Sequence, residues 1–303
     1  MPSRRHELLA WTLPRVRRSR DRGDPEAERA AVMAWHARLE PRLPTWLVPA
    51  FHRRFSVVTE ILTGPCGDFP SYVITPRGVE PQTTIFWTHG GGFVMPIDAF
   101  HTRYVARLAR ALRARVVLPE FPWAPEHTWH DSHEALADDV ARWAARGRVA
   151  LAGDSAGGGL ALALAQTLRD RGGPQPERML LLAPWVDLTT STSETHELGS
   201  IDPWLILGNL LIYAQWWAGS ADDLARPEVS PALGDLRDLP TTLMFCGTRD
   251  LLMPGCRLLA DRGAAADWDL TYIERPDLLH VFPLLPVIPE ARDAWRHTLE
   301  FLR

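Results

Sequence analysis

The sequence contains no lysine, and all 33 of its Lys or Arg residues are arginines. Schiff-base enzymes, Walker P-loop nucleotide-binding proteins and Ser-Lys dyads all need a lysine amine, so these classes are excluded. A nucleophilic serine in this chain would therefore have histidine as its plausible base. The net charge of −4 also provides no overall basic field that would favour nucleic acid.

Cysteine and long apolar runs are scarce as well. Cys66, Cys246 and Cys256 are odd in number and lack C-x-x-C spacing, so we expect neither a disulfide framework nor a zinc site. Reduced, buried cysteines in a cytoplasmic protein are the simplest interpretation, with Cys246 in a strand of the core. No apolar run is long enough to span a bilayer, and the run Leu8–Leu13 is too short for a signal peptide.

The first 23 residues are rich in arginine and predict a solvated or disordered arm. An alternative is a basic, Trp-bearing arm that touches an acidic membrane surface. Its basic residues are Arg4, Arg5, Arg15, Arg17, Arg18, Arg20 and Arg22.

The length of 303 residues favours one large α/β domain with a cap. Hydrophobic patterns predict an α/β protein in which strands alternate with helices. The first two strands lack a helix between them and should pair antiparallel, whereas later strands should be parallel. The predicted strands are 56–63, 70–75, 83–88, 115–119, 148–153, 178–183, 241–247 and 268–274; the predicted helices are 24–39, 99–113, 131–146, 156–171, 254–266 and 289–302.

The segment 190–230 interrupts this alternation with a helical, Trp-rich pattern that has no strand partner. We expect it to cover the carboxyl ends of the sheet, where ligands bind, and to form a cap together with residues 1–50. Residues 51–303 would then form the core, with the segment of about 190–230 as a cap insertion within it. Trp204, Trp216 and Trp217 either line an acyl pocket in this cap or join the cap to the core.

The motif Gly153-Asp-Ser-Ala-Gly157 lies between a strand pattern and a helical run of small residues. This arrangement fits the G-x-S-x-G nucleophile elbow, in which small neighbours allow a strand to reverse into a helix at the serine. Ser155 would then lie at a helix N-terminus, where the dipole and free N–H groups favour an anion.

A second motif, His89-Gly-Gly-Gly-Phe93, ends another predicted strand, and His89 is 66 residues before Ser155. Such a loop can turn backbone N–H groups toward the carbonyl that the serine attacks. With the N–H of Ala156 they would form an oxyanion hole. Gly90 and a hydrogen bond from His89 would support this loop.

An elbow serine needs a base and a group that orients the base, in the chain order Ser, Asp or Glu, His. His280 follows the last predicted strand, whereas His297 lies in the terminal helix pattern and is interpreted as a surface residue. Asp250 follows the strand before it. The rival carboxylates lie at the wrong edge of the sheet, because Asp238 precedes its strand and Asp267 and Asp269 lie at the start of theirs.

On these motifs the chain resembles the hormone-sensitive-lipase-like branch of the α/β-hydrolase esterases and lipases. The resemblance runs from about residue 56 to the C-terminus. It implies an α/β-hydrolase fold with a mostly parallel eight-stranded sheet, flanking helices and a helical cap. Further matching residues are Ala124-Pro-Glu-His127, Ala183-Pro-Trp-Val-Asp-Leu-Thr189, Asp202-Pro203, Ser230-Pro231, Asp250-Leu-Leu252 and His280-Val-Phe282.

The resemblance implies a Ser155–Asp250–His280 triad and an oxyanion hole of Gly91, Gly92 and Ala156, with no metal or cofactor. The expected reaction is hydrolysis of small-molecule esters with short to medium acyl chains. The chain departs from the family at Phe121-Pro-Trp123, His130-Asp131 and Met253-Pro-Gly255, which leaves the wall of the site, and hence the substrate, open.

Four alternatives to an esterase remain. An amidase, formamidase or dehydratase, or a lipase with a mobile lid, would use the same triad. A small-molecule receptor on this fold typically lacks the histidine base, whereas His280 is present here. An interaction protein that used its Trp-rich cap would need an exposed apolar patch.

Overall fold

A computed structural model describes residues 1–17, 24–40 and 42–303 of the chain. Its centre is one eight-stranded sheet with helices packed against it, as the sequence predicts for an α/β-hydrolase fold. The strands are β1 (Phe55–Gly64), β2 (Gly67–Pro76), β3 (Thr83–Thr88), β4 (Arg115–Pro119), β5 (Arg148–Asp154), β6 (Arg178–Leu182), β7 (Thr241–Arg249) and β8 (Leu270–Leu279).

The strand order is β1-β2-β4-β3-β5-β6-β7-β8. The hairpin β1–β2 is antiparallel, as predicted, and β2 also pairs antiparallel with β4. All pairs from β4 through β3 to β8 are parallel. Parallel strands place their carboxyl ends at one edge of a sheet, so β5, β7 and β8 deliver the residues that follow them to the same place.

The helices are mostly those that the hydrophobic periodicity predicts. The N-cap of α2 is Asp24, whose carboxylate accepts the Glu26 N–H, and Pro25 is the first helical residue, as expected. The helices are α1 (Arg4–Arg17), α2 (Pro25–His36), α3 (Phe51–Arg54), α4 (Ala99–Leu112), α5 (His133–Ala144), α6 (Ser155–Arg171), α7 (Ser193–Leu198), α8 (Leu207–Ala218), α9 (Met253–Ala265) and α10 (Glu290–Leu302).

Two sequence predictions need correction. The expected arm is a helix, α1, because its Ala10 and His6 are buried against the rest of the protein; residues 18–23 lie outside the described residues. Strand β8 runs to Leu279 rather than ending near 274. Pro276 has no N–H to donate to the ladder, but after a bulge the pairing with β7 resumes at Arg249 and Leu279. His280 therefore follows its strand directly.

The segment between β6 and β7 contains α7 and α8 and no strand. Tyr213 of α8 donates a 2.7 Å hydrogen bond to the buried Glu28 of α2, so this segment and the N-terminal segment are in contact. The division of the chain into a cap and a core stays a prediction. None of the helices in the described part of the chain is both long enough and apolar enough to cross a membrane.

Candidate active site

The turn from β5 into α6 places Ser155 at the first residue of the helix. Ser155 has a φ of +52°, a left-handed conformation that costs about 1–3 kcal/mol in a residue with a side chain. The turn is also crowded. A Cβ on Gly153 would lie 2.5 Å from the carbonyl oxygen of Gly157, and one on Gly157 would collide with the carbonyl oxygen of Thr88. Only glycine fits at these two positions, so the local sequence enforces the elbow.

Ser155, His280 and Asp250 form one hydrogen-bonded chain. His280 Nε2 lies 2.9 Å from Ser155 Oγ, and His280 Nδ1 lies 2.8 Å from Asp250 Oδ2. The second oxygen of Asp250 accepts the Leu252 N–H at 2.9 Å. With the Nδ1 proton donated to Asp250, the Nε2 lone pair faces the serine hydroxyl. The structure thus brings together the three side chains that the sequence predicts as nucleophile, base and orienting acid.

The surroundings of His280 change its pKa in opposing directions. Burial is the largest single effect and lowers it, but the charge and hydrogen bond of Asp250, together with the charges of Asp202 and Asp154, raise it by more in total. The net result is a pKa above the usual 6.5. A positively charged imidazole is therefore more stable here than in water, as is useful for a group that accepts a proton.

Asp202 is a carboxylate next to this chain for which the sequence predicts no role. Its Oδ2 accepts the Leu251 N–H at 2.8 Å, and its Oδ1 accepts the N–H groups of Trp204 and Leu205. Burial, followed by the charge of Asp250, raises its pKa to about 6. The motif Asp202-Pro203 was visible in the sequence, but only the fold shows that it links the 201–205 segment to the turn after β7.

The loop His89–Phe93 lies against the elbow. A Cβ on Gly90 would lie 3.0 Å from Ser155 Cβ, so the loop backbone touches the serine. Gly91 and Gly92 have φ values of +120° and +63°. Within residues 1–17, 24–40 and 42–303, their N–H groups donate to no backbone carbonyl. Ala156 lies in the first turn of α6, where an N–H has no acceptor within the helix.

His89 and Glu120 lie behind this loop, and both are buried. The Nδ1 of His89 donates to the Gly90 carbonyl at 2.8 Å, and its ring stacks on Phe121 at 4.3 Å. Its Nε2 lies 3.4 Å from Glu120 Oε1. Glu120 in turn accepts the N–H of Ile97 and the indole N–H of Trp123. Phe121 and Trp123, where the chain departs from its family, thus pack behind the loop.

Asp154, just before the serine, is buried and has two partners. It accepts the indole N–H of Trp87 at 3.1 Å, and its other oxygen lies 3.2 Å from His101 Nε2. Trp87 and His101 had no predicted role, because their strand and helix meet Asp154 only in the fold.

Aromatic side chains of the segment 190–230 contact both halves of the site. Trp204 packs edge-on against His280, with ring centroids 5.9 Å apart. The Tyr213 ring lies over Gly92, since a Cβ there would be 3.2 Å from Tyr213 Cδ2. Trp216 is half-buried and packs beside Tyr213 at 5.5 Å. Tyr213 is a contact that the sequence did not single out.

Trp217 has different surroundings. It is 1% exposed and stacks parallel to Phe93 at 4.2 Å, while Phe93 also stacks on Trp185. Such a ring is enclosed by protein. Of the two roles that the sequence left open for the tryptophans, these contacts favour joining the two parts of the molecule for Trp217.

The N-terminal helices also reach the site. His36 of α2 donates from Nε2 to the Val94 carbonyl at 2.8 Å, and its Nδ1 lies 2.9 Å from Glu126. Glu126 therefore contacts α2 rather than the serine. His297 is half-exposed in α10 and hydrogen-bonds to the Asp293 carbonyl, in keeping with its expected place outside the site.

Comparison with known proteins shows the family of this chain. A family model described as alpha/beta hydrolase fold matches residues 85–284. The chain belongs to this family. It is 32% identical over 228 residues to an acetyl-hydrolase of Streptomyces hygroscopicus, covering 73% of this chain and 75% of that protein. It is 30% identical over 271 residues to esterase LipI of Mycobacterium tuberculosis, covering 83% of each chain.

A solved structure of an esterase from the bacterial hormone-sensitive lipase family is also similar. It has a TM-score of 0.81 and 25% sequence identity, over all of this chain and 98% of that one. The chain is therefore an esterase- or lipase-type α/β-hydrolase, as its motifs indicate.

In this hydrolase the described residues include one group with the spacing of metal ligands. Donor atoms of Cys66, His127 and Asp131 lie within 4.8 Å of one another near the surface. One Asp131 oxygen already accepts the Thr128 N–H. None of the three residues is a hydrogen-bond partner of Ser155, His280 or Asp250. Cys246 and Cys256 are buried as expected, but the expectation is wrong for Cys66, which is exposed.

Proposed function

We propose that this protein is a serine carboxylesterase that hydrolyses short- to medium-chain acyl esters through an acyl-enzyme on Ser155. The carrying observation is the continuous chain Ser155 Oγ–His280–Asp250, with contacts of 2.9 and 2.8 Å. Ser155 is 8% exposed, so most of its surface is shielded from solvent.

In the proposed reaction, His280 Nε2 accepts the hydroxyl proton while Ser155 Oγ attacks the ester carbonyl. Asp250 holds the Nδ1 proton and stabilises the resulting imidazolium. The tetrahedral intermediate collapses, and His280 donates its proton to the leaving alcohol. Water then attacks the acyl-enzyme with His280 again as base, releasing the carboxylic acid and restoring Ser155.

The negatively charged oxygen of the intermediate would be bound by the N–H groups of Gly91, Gly92 and Ala156. This proposal is supported by the contact of the loop with Ser155 and by the orientation that His89 gives the Gly90 peptide. Removing one such donor costs about 3 kcal/mol of transition-state stabilisation in comparable sites.

The proposed cap, residues 1–50 and 190–230, would set the acyl preference. Trp204 and Trp216 are the candidates to limit the pocket, because they are only partly buried and lie beside the base and beside Tyr213. Each buried methylene contributes about 0.8 kcal/mol until the pocket is full, so we expect a preference for about two to eight acyl carbons.

The test is a panel of aryl esters of graded acyl length beside a matched anilide, with wild type and Ser155→Ala. We expect kcat/KM to rise with chain length, peak and fall, with little anilide hydrolysis, and Ser155→Ala to lose at least about 10⁴-fold. A dominant anilide rate would identify an amidase, and a jump in rate at an oil–water interface a lipase. A folded wild type that binds esters without turnover would be a receptor.

A contact between α1 and an acidic membrane surface is a second proposal, for a protein that we expect in the cytoplasm. The outward face of α1 combines the exposed Leu8 and Trp11 with three arginines, Arg4, Arg5 and Arg15. An apolar stripe flanked by arginine suits an anionic interface, where each basic residue contributes about 1 kcal/mol.

Sedimentation with vesicles tests this contact. We expect binding to vesicles containing phosphatidylglycerol but not to pure phosphatidylcholine, with loss of binding at high salt and in Trp11→Ala. Trp46→Ala is the matched control, because Trp46 is exposed but lies outside α1. Equal binding of the two variants would contradict a role for this helix.

A further inference from the structure

The inward face of α1 carries a buried histidine that neither the proposed mechanism nor the family resemblance uses. His6 is fully buried, although it lies in the first turns of an N-terminal helix that the sequence did not predict. Leu9 and Ala10 on the same face pack into the protein. A fully buried histidine is uncommon enough to need a partner that explains it.

That partner is the backbone N–H of the residue before the proposed base. The N–H of Leu279 donates to His6 Nε2 at 3.1 Å, across 273 residues of sequence. Leu279 is the last residue of β8, and His280 follows it. The ladder between β7 and β8 is irregular at this point, with a register shift between Gly247 and Arg249. His6 therefore supplies a side-chain acceptor to the N–H of Leu279.

The hydrogen bond from Leu279 determines which ring nitrogen of His6 carries the proton. To accept from Leu279, Nε2 must carry a lone pair, so the proton is on Nδ1, which lies 3.4 Å from Glu7 Oε1. The other oxygen of Glu7 lies 3.6 Å from Arg249, the residue before Asp250. Two neighbouring residues of α1 thus contact the residues that immediately precede the proposed base and the proposed acid.

We infer that His6 is a positioning residue, which holds the Leu279 peptide so that His280 Nε2 stays aimed at Ser155 Oγ. The inference rests on the proposed function of His280. Val281, the residue after the base, has a φ of +44°, so the backbone turns sharply there. The backbone of Leu279, on the other side of His280, is then the place where a contact can fix the position of the ring. A misplacement of about 1 Å in a catalytic group can cost about 100-fold in rate.

The experiment compares two replacements of His6 in the full-length protein. His6→Leu keeps apolar bulk but removes the acceptor, whereas the side-chain oxygen of His6→Gln can accept from the same N–H. We expect kcat of His6→Leu to fall at least about tenfold with KM within about twofold, because the hydrogen-bond partners of His6 include none of the side chains proposed to limit the ester pocket. His6→Gln should recover kcat to within about threefold of wild type.

Leu9→Ala is the matched control, because it weakens the docking of α1 without removing the acceptor. It should lower the melting temperature yet keep kcat. Hydrogen exchange of the Leu279 amide, a readout that needs no catalysis, should accelerate in His6→Leu and not in His6→Gln.

Wild-type kcat in a folded His6→Leu, or the same loss of kcat in Leu9→Ala or in His6→Gln, would overturn the inference. Activity retained by Ser155→Ala would instead overturn the proposed function. The two failures are therefore distinguishable.

Discussion

The carboxyl edge of the sheet differs in construction from the described residues of 1–50 and 190–230, the proposed cap, which we call the cover. At the edge, each proposed catalytic side chain follows a strand directly: Ser155 after β5, Asp250 after β7 and His280 after β8. In the cover, the decisive contacts join distant segments, as with Tyr213 to Glu28 and His6 to Leu279. The edge is set by strand order and local turns, and the cover by side chains that meet only after folding.

The proposed chemistry therefore depends on the edge, whereas the cover is proposed to limit the ester pocket. The edge contains the hydrogen-bonded chain that can move a proton, and its geometry depends on crowded turns with little freedom. The cover contains the partly buried Trp204 and Trp216 and the enclosed Trp217. Changes at the edge should therefore act on kcat, and changes in the cover on stability or on the choice of ester, except at His6, which contacts the edge through Leu279 and should act on kcat.

The largest effect should come from the edge. In Asp250→Asn the side-chain oxygen would accept the Leu252 N–H, and the amide would donate to His280 Nδ1. The imidazole would then carry its proton on Nε2 and could not accept one from Ser155. We expect kcat to fall about 10⁴-fold in steady-state assays.

Asp238→Asn is the control, because this rival carboxylate precedes β7 and lies outside the hydrogen-bonded chain. It should keep wild-type kcat. A loss in Asp238→Asn that matches the loss in Asp250→Asn would remove Asp250 from its proposed role.

In the cover, two neighbouring tryptophans should behave differently. Trp217→Ala would leave a cavity beside Phe93, so we expect its free energy of unfolding to fall by about 3–5 kcal/mol in denaturant titrations. Trp216→Ala should lose less, because Trp216 is only half-buried. Equal losses would contradict the distinction between enclosed and partly buried rings.

The smallest effect should come from Asp202, a residue of the cover whose charge raises the pKa of His280 at the edge. Because the pKa of His280 lies above 6.5 and the base must be neutral, kcat/KM should rise with pH through a limb centred above 6.5. Asp202→Asn removes one of the negative charges that raise this pKa, so its limb should move to lower pH. The measurement is a pH profile of kcat/KM for both proteins.

Asp223→Asn is the charge-matched control, since Asp223 is not among the charges that act on His280. Its limb should stay in place. A wild-type limb centred below 6.5, or a shift to higher pH in Asp202→Asn, would contradict this account of the electrostatics.

The edge could be predicted from the sequence because its signals are local. A glycine before and after Ser155, a glycine-rich loop after β3 and polar residues after β7 and β8 each indicate a turn at a strand end. Parallel pairing then brings these turns together. The length of β8 was missed because the strand pattern ends near residue 274, whereas the fold continues the strand past Pro276 and Asp277.

The cover could be predicted only in outline. The helical pattern of 190–230 indicated that this segment has no strand partner, but nothing near His6, His36 or Tyr213 indicates what each contacts. Their partners are Leu279, Val94 and Glu28. Such contacts depend on how helices from both ends of the chain pack together. For the same reason α1 was expected to be a solvated arm.

Covalent labelling tests the central claim, that Ser155 is the nucleophile activated by His280, most directly. A fluorophosphonate is incubated with wild type, Ser155→Ala and His280→Ala, and the adduct is mapped by mass spectrometry. We expect one adduct per chain on the peptide containing Ser155, none in Ser155→Ala, and much slower labelling in His280→Ala. An adduct on another residue, or an unchanged labelling rate without His280, would contradict the account.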